Sequence, residues 1–486
     1  MDTRHRTSYS RRAMLRMALT AAAGAALAAC GAPPSSSSSS TDTSGGAAAG
    51  GAPTPAAGGA PAATAAAGGA PTALTVVNAP TATPQPPQTF GASSAKTKLR
   101  FWTILANVDG IVMNDLVRKF SQDNPDVAVE SLQGLTDFIQ KIEAASISNT
   151  APDVALVRQT YIGPFVDKNI LSPITSDELS STGFKAEDYD PTVWKFTQYQ
   201  GKQYTIPLDV HCHAMLYDKK ILSDNGLQVP ATLDDWTAAV AKVTKGDIVG
   251  YNTFALGAGA QEFMTWYIYS IWSQYGVKMV SDDGSKAAFN TPDGIAAIKW
   301  MKDIQDKGNP KDVPTTDLQR TGKVATWADG PWVSTLFFDP TKSPAAPELS
   351  VAPLPQKDPQ KKSVWAQSHQ FSLPRQANPD PNQRAAALKF VLWMSQHSVD
   401  WSKAGQVPAR NSARQEALGS SDPILQKLQV WASQLPYVSF MPPHPKLLEI
   451  MPRIAANVEG AILNQWSVEE GLKKAEDEVN QIIANG

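Results

Sequence analysis

The chain has 486 residues, too many for one ordinary hydrophobic core, so two or more domains are expected. Its 43 basic and 45 acidic residues leave a formal net charge of −2, which gives no support for nucleic-acid binding through bulk charge. Beyond Ala29 no stretch reaches the roughly 20 consecutive apolar residues that a spanning helix needs.

The first residues read as a targeting segment. Arg11-Arg12 precede Met14-Leu15-Arg16-Met17 and a small-residue apolar run to Ala29, too short for a membrane span. Ser10 to Leu15 resembles a twin-arginine export signal, with Met14 where that pattern usually carries Phe, so the twin-arginine and general export routes both stay open. Leu27-Ala28-Ala29-Cys30 resembles the bacterial lipobox, in which the signal is cut before the cysteine and that cysteine is lipidated. Residues 1–30 are therefore expected to be a lipoprotein signal with Cys30 as the anchor. Residues 31–95, rich in Ser, Gly, Ala, Pro and Thr, are expected to be a disordered tether, because they cannot bury enough apolar surface to order themselves. Cys212 is the only other cysteine, so no internal disulfide is expected and Cys212 should behave as a small buried apolar residue.

From Lys98 the pattern becomes globular. Leu99–Leu105 reads as a strand, 111–121 as a helix, Val127–Leu132 as a strand, 136–148 as a helix and Val154–Val157 as a strand. That alternation predicts a parallel sheet with crossover helices. Ligands in such sheets lie outside the carboxyl ends of the strands, which points to Trp102, Thr103, Gln159 and Thr160.

The stretch Tyr204–Leu222 is predicted to carry the chain from one lobe to the next. Pro207 cannot donate to a ladder and suits a strand edge or crossover. Strand alternation beyond it places Val210, Cys212, Ala214 and Leu216 on one face, and Asp209, His211, His213 and Met215 on the other. Helices are predicted from Thr232, with that residue as cap, and from Asn290-Thr291-Pro292 to Gly308. An aromatic-rich region spans 262–275. A strand at 322–327 leads through Ala328-Asp329-Gly330-Pro331 into Trp332, and Val364–Leu373 is another strand, carrying His369 and Gln370. Helices close the chain at 383–396, 445–464 and 467–484.

These pieces come in a particular order: Phe101-Trp102-Thr103, Ala151-Pro152-Asp153-Val154, Ile206-Pro207 with Leu216-Tyr217-Asp218-Lys219, then Thr232 to Trp236. Gly322-Lys323-Val324-Ala325 with Gly330-Pro331-Trp332 follow, then Gly460-Ala461-Ile462 and Ser467 to Leu472. In that order, across 97–486, the chain resembles the extracytoplasmic solute-binding lipoproteins of bacterial ABC importers, in the carbohydrate-binding branch that includes maltose-binding protein. The resemblance implies an α/β, two-lobe periplasmic-binding-protein-like fold, each lobe a mostly parallel sheet flanked by helices, with crossovers near Pro207, Asp329 and Leu373 and closure by hinge motion. It divides the chain into lobe 1 at 96–208 and 329–373, and lobe 2 at 209–328 and 374–486. It also implies a monomer on the outer face of the cell membrane or in the periplasm, lipid-anchored, passing a small carbohydrate to ABC permease transmembrane subunits. Neither catalysis nor a cofactor nor nucleic-acid binding is implied. His211-Cys212-His213 and Ser368-His369-Gln370 stand where relatives often have small or hydroxyl residues, so the sugar class does not carry over.

Aromatic faces suit the C–H faces of sugars, while hydroxyls bond to polar groups in the ring plane. Trp332, opening a helix after a Gly-Pro turn, is the first candidate; Trp266 and Trp102 follow, against the ordinary alternative of core tryptophans. Asp209, His211, His369 and Gln370 are candidate hydroxyl partners, ionised acceptors bonding most strongly. Their bland alternatives are a turn acid and satisfied structural histidines. His211-x-His213 invites a metal reading, but two histidines without an acid cluster are a poor signal beside zinc motifs, and no metal is expected. The rival functions are a secreted glycosidase, for which no acid pair stands out, and a peptide- or protein-binding surface lipoprotein.

Overall fold

The computed structural model describes residues 86–135, 137–252, 256 and 261–485. The signal reading and Cys30 lie outside the described residues, as does the tether as far as residue 85. The last part of that tether is corrected. Gln88–Phe90 forms an edge strand antiparallel to Val127–Leu132, where the β-formers Thr89 and Phe90 pair with Glu130 and Val129 and Arg118 lies over the Phe90 ring.

Three sheets of four or more strands organise the described residues. The first has six strands in the order 88–90, 127–132, 97–103, 154–158, 369–372, 205–207. Its centre is parallel, as predicted: Thr97–Thr103 runs parallel to both Val127–Leu132 and Val154–Arg158. The helices Asn107–Asp123 and Phe138–Ile147 connect these strands. Returning strands join antiparallel, His369–Ser372 beside Val154–Arg158 and Thr205–Pro207 at the edge, where Pro207 needs no donor. The second sheet has the order 249–252, 324–329, 214–218, 349–353, with one parallel pair and two antiparallel. Both sheets are thus mixed.

A third, small sheet lies where the chain passes between the other two. Asp209–Cys212 pairs with Val407–Pro408 on one side and with Val364–Gln367 on the other, and Val438–Phe440 completes it. The expected long strand over 364–373 is two strands broken at Ser368, one in the small sheet and one in the first. The predicted alternation through 209–216 breaks likewise at His213, because Ala214–Asp218 belongs to the second sheet.

These pairings move two of the expected boundaries. Asp329 does not leave the second sheet: it is the last residue of Val324–Asp329 and pairs with Ala214, and Leu349–Pro353 then adds to the same sheet. The return to the first sheet comes at 364–369. The helix Pro381–Gln396, expected with the second lobe, packs on Thr97–Thr103 and Asn107–Asp123 of the first, with Phe390 against Phe101 and Phe120.

Local chemistry fixes the helix starts. Thr232 accepts from the Asp235 N–H, Thr291 from Gly294 with Pro292 at the first position, and Ser467 forms a capping box with Glu470. Two glycines set the turn that presents Trp332. A Cβ on Gly330 would fall about 2.0 Å from the Trp332 ring, and Gly405, at φ +84°, lies so close to the Pro331 carbonyl that a Cβ would approach it to 2.7 Å.

Candidate functional site

The site grows from the crossover strand Asp209–Cys212. Alternation puts Asp209 and His211 on one side, as predicted, and both are buried. The Asp209 carboxylate is densely bonded. One oxygen accepts the His369 N–H at 2.8 Å; the other accepts Trp401 Nε1–H at 2.8 Å and lies 2.7 Å from His369 Nδ1. His211 Nδ1 is 3.4 Å from the first oxygen. Burial pushes this carboxyl up, but the charge of His369 and the contacts of both imidazoles outweigh it and hold Asp209 well below the usual range. Burial pushes His211 down, Asp209 opposing.

Beside these groups stands an aromatic cluster. Trp266 stacks on Trp365 at 4.7 Å and 16°. Trp332 meets Trp266 edge to face at 6.0 Å and His211 at 5.4 Å. Phe263 closes on Trp266 at 4.6 Å. Trp266 and Trp365 are buried, whereas Trp332 and Phe263 are only half-buried and offer ring surface. His213, its ring 4.7 Å from that of Trp365, turns its Nδ1 to the Ser270 hydroxyl at 2.9 Å.

Further charges surround this cluster, Arg158 from the first sheet, Glu262 and Asp109 from helices and Asp329 from the second sheet. Arg158, the last residue of its strand, sits over the Trp266 ring at 5.3 Å, 2.5 Å from Glu262 and 3.0 Å from the Tyr161 hydroxyl. Burial raises Glu262, with Arg158 and His369 opposing. Asp109, hydrogen-bonded by Gln406, is pushed up to about 7 by burial, with Asp209 adding and His369 opposing. Asp329 accepts from the Gly330 N–H at 2.9 Å and from Trp332, and burial pushes it up to about 8.

Buried polar atoms without a hydrogen-bond partner gather in this region: His211 Nδ1, Trp266 Nε1, Trp365 Nε1, Glu262 Oε1, and one amide oxygen each of Gln159, Gln367 and Gln406. Such atoms are rare in folded proteins. Donors and acceptors beside flat rings are what a polyhydroxylated, uncharged solute can pair with.

The structure brings Asp209, His211, His369, Trp266 and Trp332 together. Gln159 and Thr160 reach the same neighbourhood: the Gln159 N–H donates to the Ser368 carbonyl at 3.0 Å, and Thr160 accepts from Gln367 at 3.1 Å. Three candidates go elsewhere. Trp102 packs against the core cluster that contains Phe138 and Tyr161. Thr103 spends its hydroxyl on the Leu105 N–H, and Gln370, facing away from His369, accepts from Thr205. Sequence reasoning missed Arg158, Glu262, Trp365, Gln367, Trp401, Gln406 and Asp109. Arg158 stands one residue before a position the strand-end rule selected, but Trp401 arrives from a distant helix with no local signal.

The family model for bacterial extracellular solute-binding proteins matches residues 105–399. A binding protein of Brucella abortus is 24% identical over 235 residues, 46% of this chain; the match spans 56% of that relative's length. The maltotriose-binding protein of Pyrococcus abyssi is 22% identical over 408 residues, 80% of this chain and 83% of that one. The solved cyclic α-maltosyl-1,6-maltose binding protein of Arthrobacter globiformis superposes with a TM-score of 0.67 at 22% identity, covering 80% of this chain and 99% of its own. At that identity the likeness establishes the fold, two-lobed and maltose-binding-protein-like.

Proposed function

The chain belongs to the bacterial extracellular solute-binding protein family, and from that premise we propose that it captures a sugar, oligosaccharide or related polyol between its lobes and delivers it to an ABC permease. The first and second sheets are the cores of the two lobes, and the small sheet of 209–212, 364–367, 407–408 and 438–440 is the hinge region. The observation that carries the reading is the indole cluster of Trp266, Trp332 and Trp365, flanked by unpaired buried amide and imidazole atoms. Stacking and hydroxyl recognition are provided side by side, and the Arg158 cation is neutralised by Glu262.

The maltotriose and cyclic maltosyl-maltose receptors among the relatives support α-glucosides as the first compounds to try. The protein binds without turnover, and works as a lipid-anchored monomer held at the membrane through Cys30. Intrinsic tryptophan fluorescence and thermal shift across a panel of mono- and oligosaccharides and polyols test this. At least one carbohydrate should change the emission and raise the melting temperature. A response confined to amino acids, peptides or ions would refute the sugar assignment, and hydrolysis of a bound glycan would refute the absence of turnover.

A further inference from the structure

Among the described residues, one group of side chains is arranged as more than a solute contact. Asp209, His211 and His369 place a carboxylate oxygen and two imidazole nitrogens within 4.8 Å of one another, and all three residues are buried. Both imidazoles present Nδ1 to the same carboxylate, His369 at 2.7 Å and His211 at 3.4 Å. Only the His369 contact has hydrogen-bond geometry; His211 Nδ1, in a residue 2% exposed, has no hydrogen-bond partner. An imidazole buried with an unpaired nitrogen aimed at an anion is unusual unless something else binds there.

We propose that Asp209, His211 and His369 form a site for one divalent transition-metal ion of the zinc class, joining the crossover strand 209–212 to the strand 369–372. Two imidazoles and a carboxylate are the donor set that borderline divalent ions take, and three protein ligands leave a coordination position open. The surroundings match what such a set needs. The His369 N–H and Trp401 Nε1–H bond the carboxylate and fix its orientation, as outer partners of metal ligands do. The sequence hid this arrangement because the obvious pair, His211-x-His213, is not the one used. His213 turns to Ser270, and the second imidazole comes from 158 residues further along the chain.

The test uses the full chain without a polyhistidine tag, stripped with EDTA, dialysed and titrated with Co2+ while visible absorption and heat are recorded. The expected result is one Co2+ per chain, with absorption bands of a low-coordinate site that Zn2+ abolishes by competition. His211→Asn and His369→Asn should each weaken uptake at least about tenfold, whereas His397→Ala, whose ring stacks on Trp393 outside the set, should leave it unchanged. If a histidine variant lacks the wild-type circular dichroism spectrum, Trp401→Phe replaces it, removing one hydrogen bond to the carboxylate, with a similar loss expected. No saturable uptake by the wild type overturns the proposal, as does uptake that these substitutions leave intact. Carbohydrate binding is measured separately and can succeed or fail independently.

Discussion

Substituting Glu262→Gln probes how the two lobes are held together around the solute. Glu262 lies in the first turn of the helix Gln261–Gln274, which packs on the helix Pro292–Gly308 beside the second sheet, while Arg158 ends a strand of the first sheet. Their side chains are 24% and 19% exposed and 2.5 Å apart. Removing one partner of a fully buried pair costs about 3–5 kcal/mol. Here the pair is not fully buried, the glutamine oxygen can still accept, and Tyr161 stays bonded to Arg158, so about 2 kcal/mol is the reasonable figure. If the pair forms only when the lobes close, that energy is subtracted from the bound state alone. The apparent Kd for the carbohydrate should then weaken about 30-fold. Calorimetric titration gives the affinity, and a thermal melt of the unliganded protein gives the control, which should hardly move. An unchanged affinity with a clearly lowered melting temperature would make the pair a static packing contact.

Three further outcomes follow from the charges and the thiol. Asp329 is raised by burial to about 8, so its contribution to stability is full below the unfolded value of 3.8 and is lost as pH rises through about 8. Asp329→Asn should therefore gain on the wild type by on the order of 4 kcal/mol between pH 5 and pH 8 in urea unfolding, and a constant difference would count against it. Glu178 is held down to about 2 by the Arg384 hydrogen bond; its contribution is present above 4.5 and is lost as pH falls through about 2. Glu178→Gln should cost about 2 kcal/mol at pH 7, allowing for its partial exposure, and should flatten the acid limb of the stability curve. Cys212 is buried with its thiol pushed up by burial, so the native protein should resist a disulfide reagent that labels the urea-unfolded chain at once.

Local pattern made much of the fold legible. Strand and helix periodicity located 97–103, 127–132, 154–158 and the helices between, because one buried face per element leaves a regular trace. The cap residues Thr232, Thr291 and Ser467 mark helix starts by their own chemistry. What could not be read was which sheet a strand enters. Leu349–Pro353 and His369–Ser372 are both short, and nothing in either sequence distinguishes the second sheet from the first. The break at Ser368 was invisible for the same reason, since the residues on both sides of it are extended and buried. In the site, Asp209, His211 and Trp332 could be found because a proline or glycine turn announces them. Trp365, Trp401 and Glu262 could not, because tertiary packing alone brings them there.

If indole faces hold an uncharged, hydroxyl-rich solute, removing one of them must weaken binding, and calorimetry on the wild type beside Trp332→Ala measures that loss. Titrated with the carbohydrate giving the largest thermal shift, the wild type should bind one molecule per chain, and the variant, which loses its half-buried ring, should bind at least tenfold more weakly. Equal affinities for the two proteins, or tight wild-type binding of a charged solute in place of any sugar, would show that the Trp332 ring does not hold a sugar.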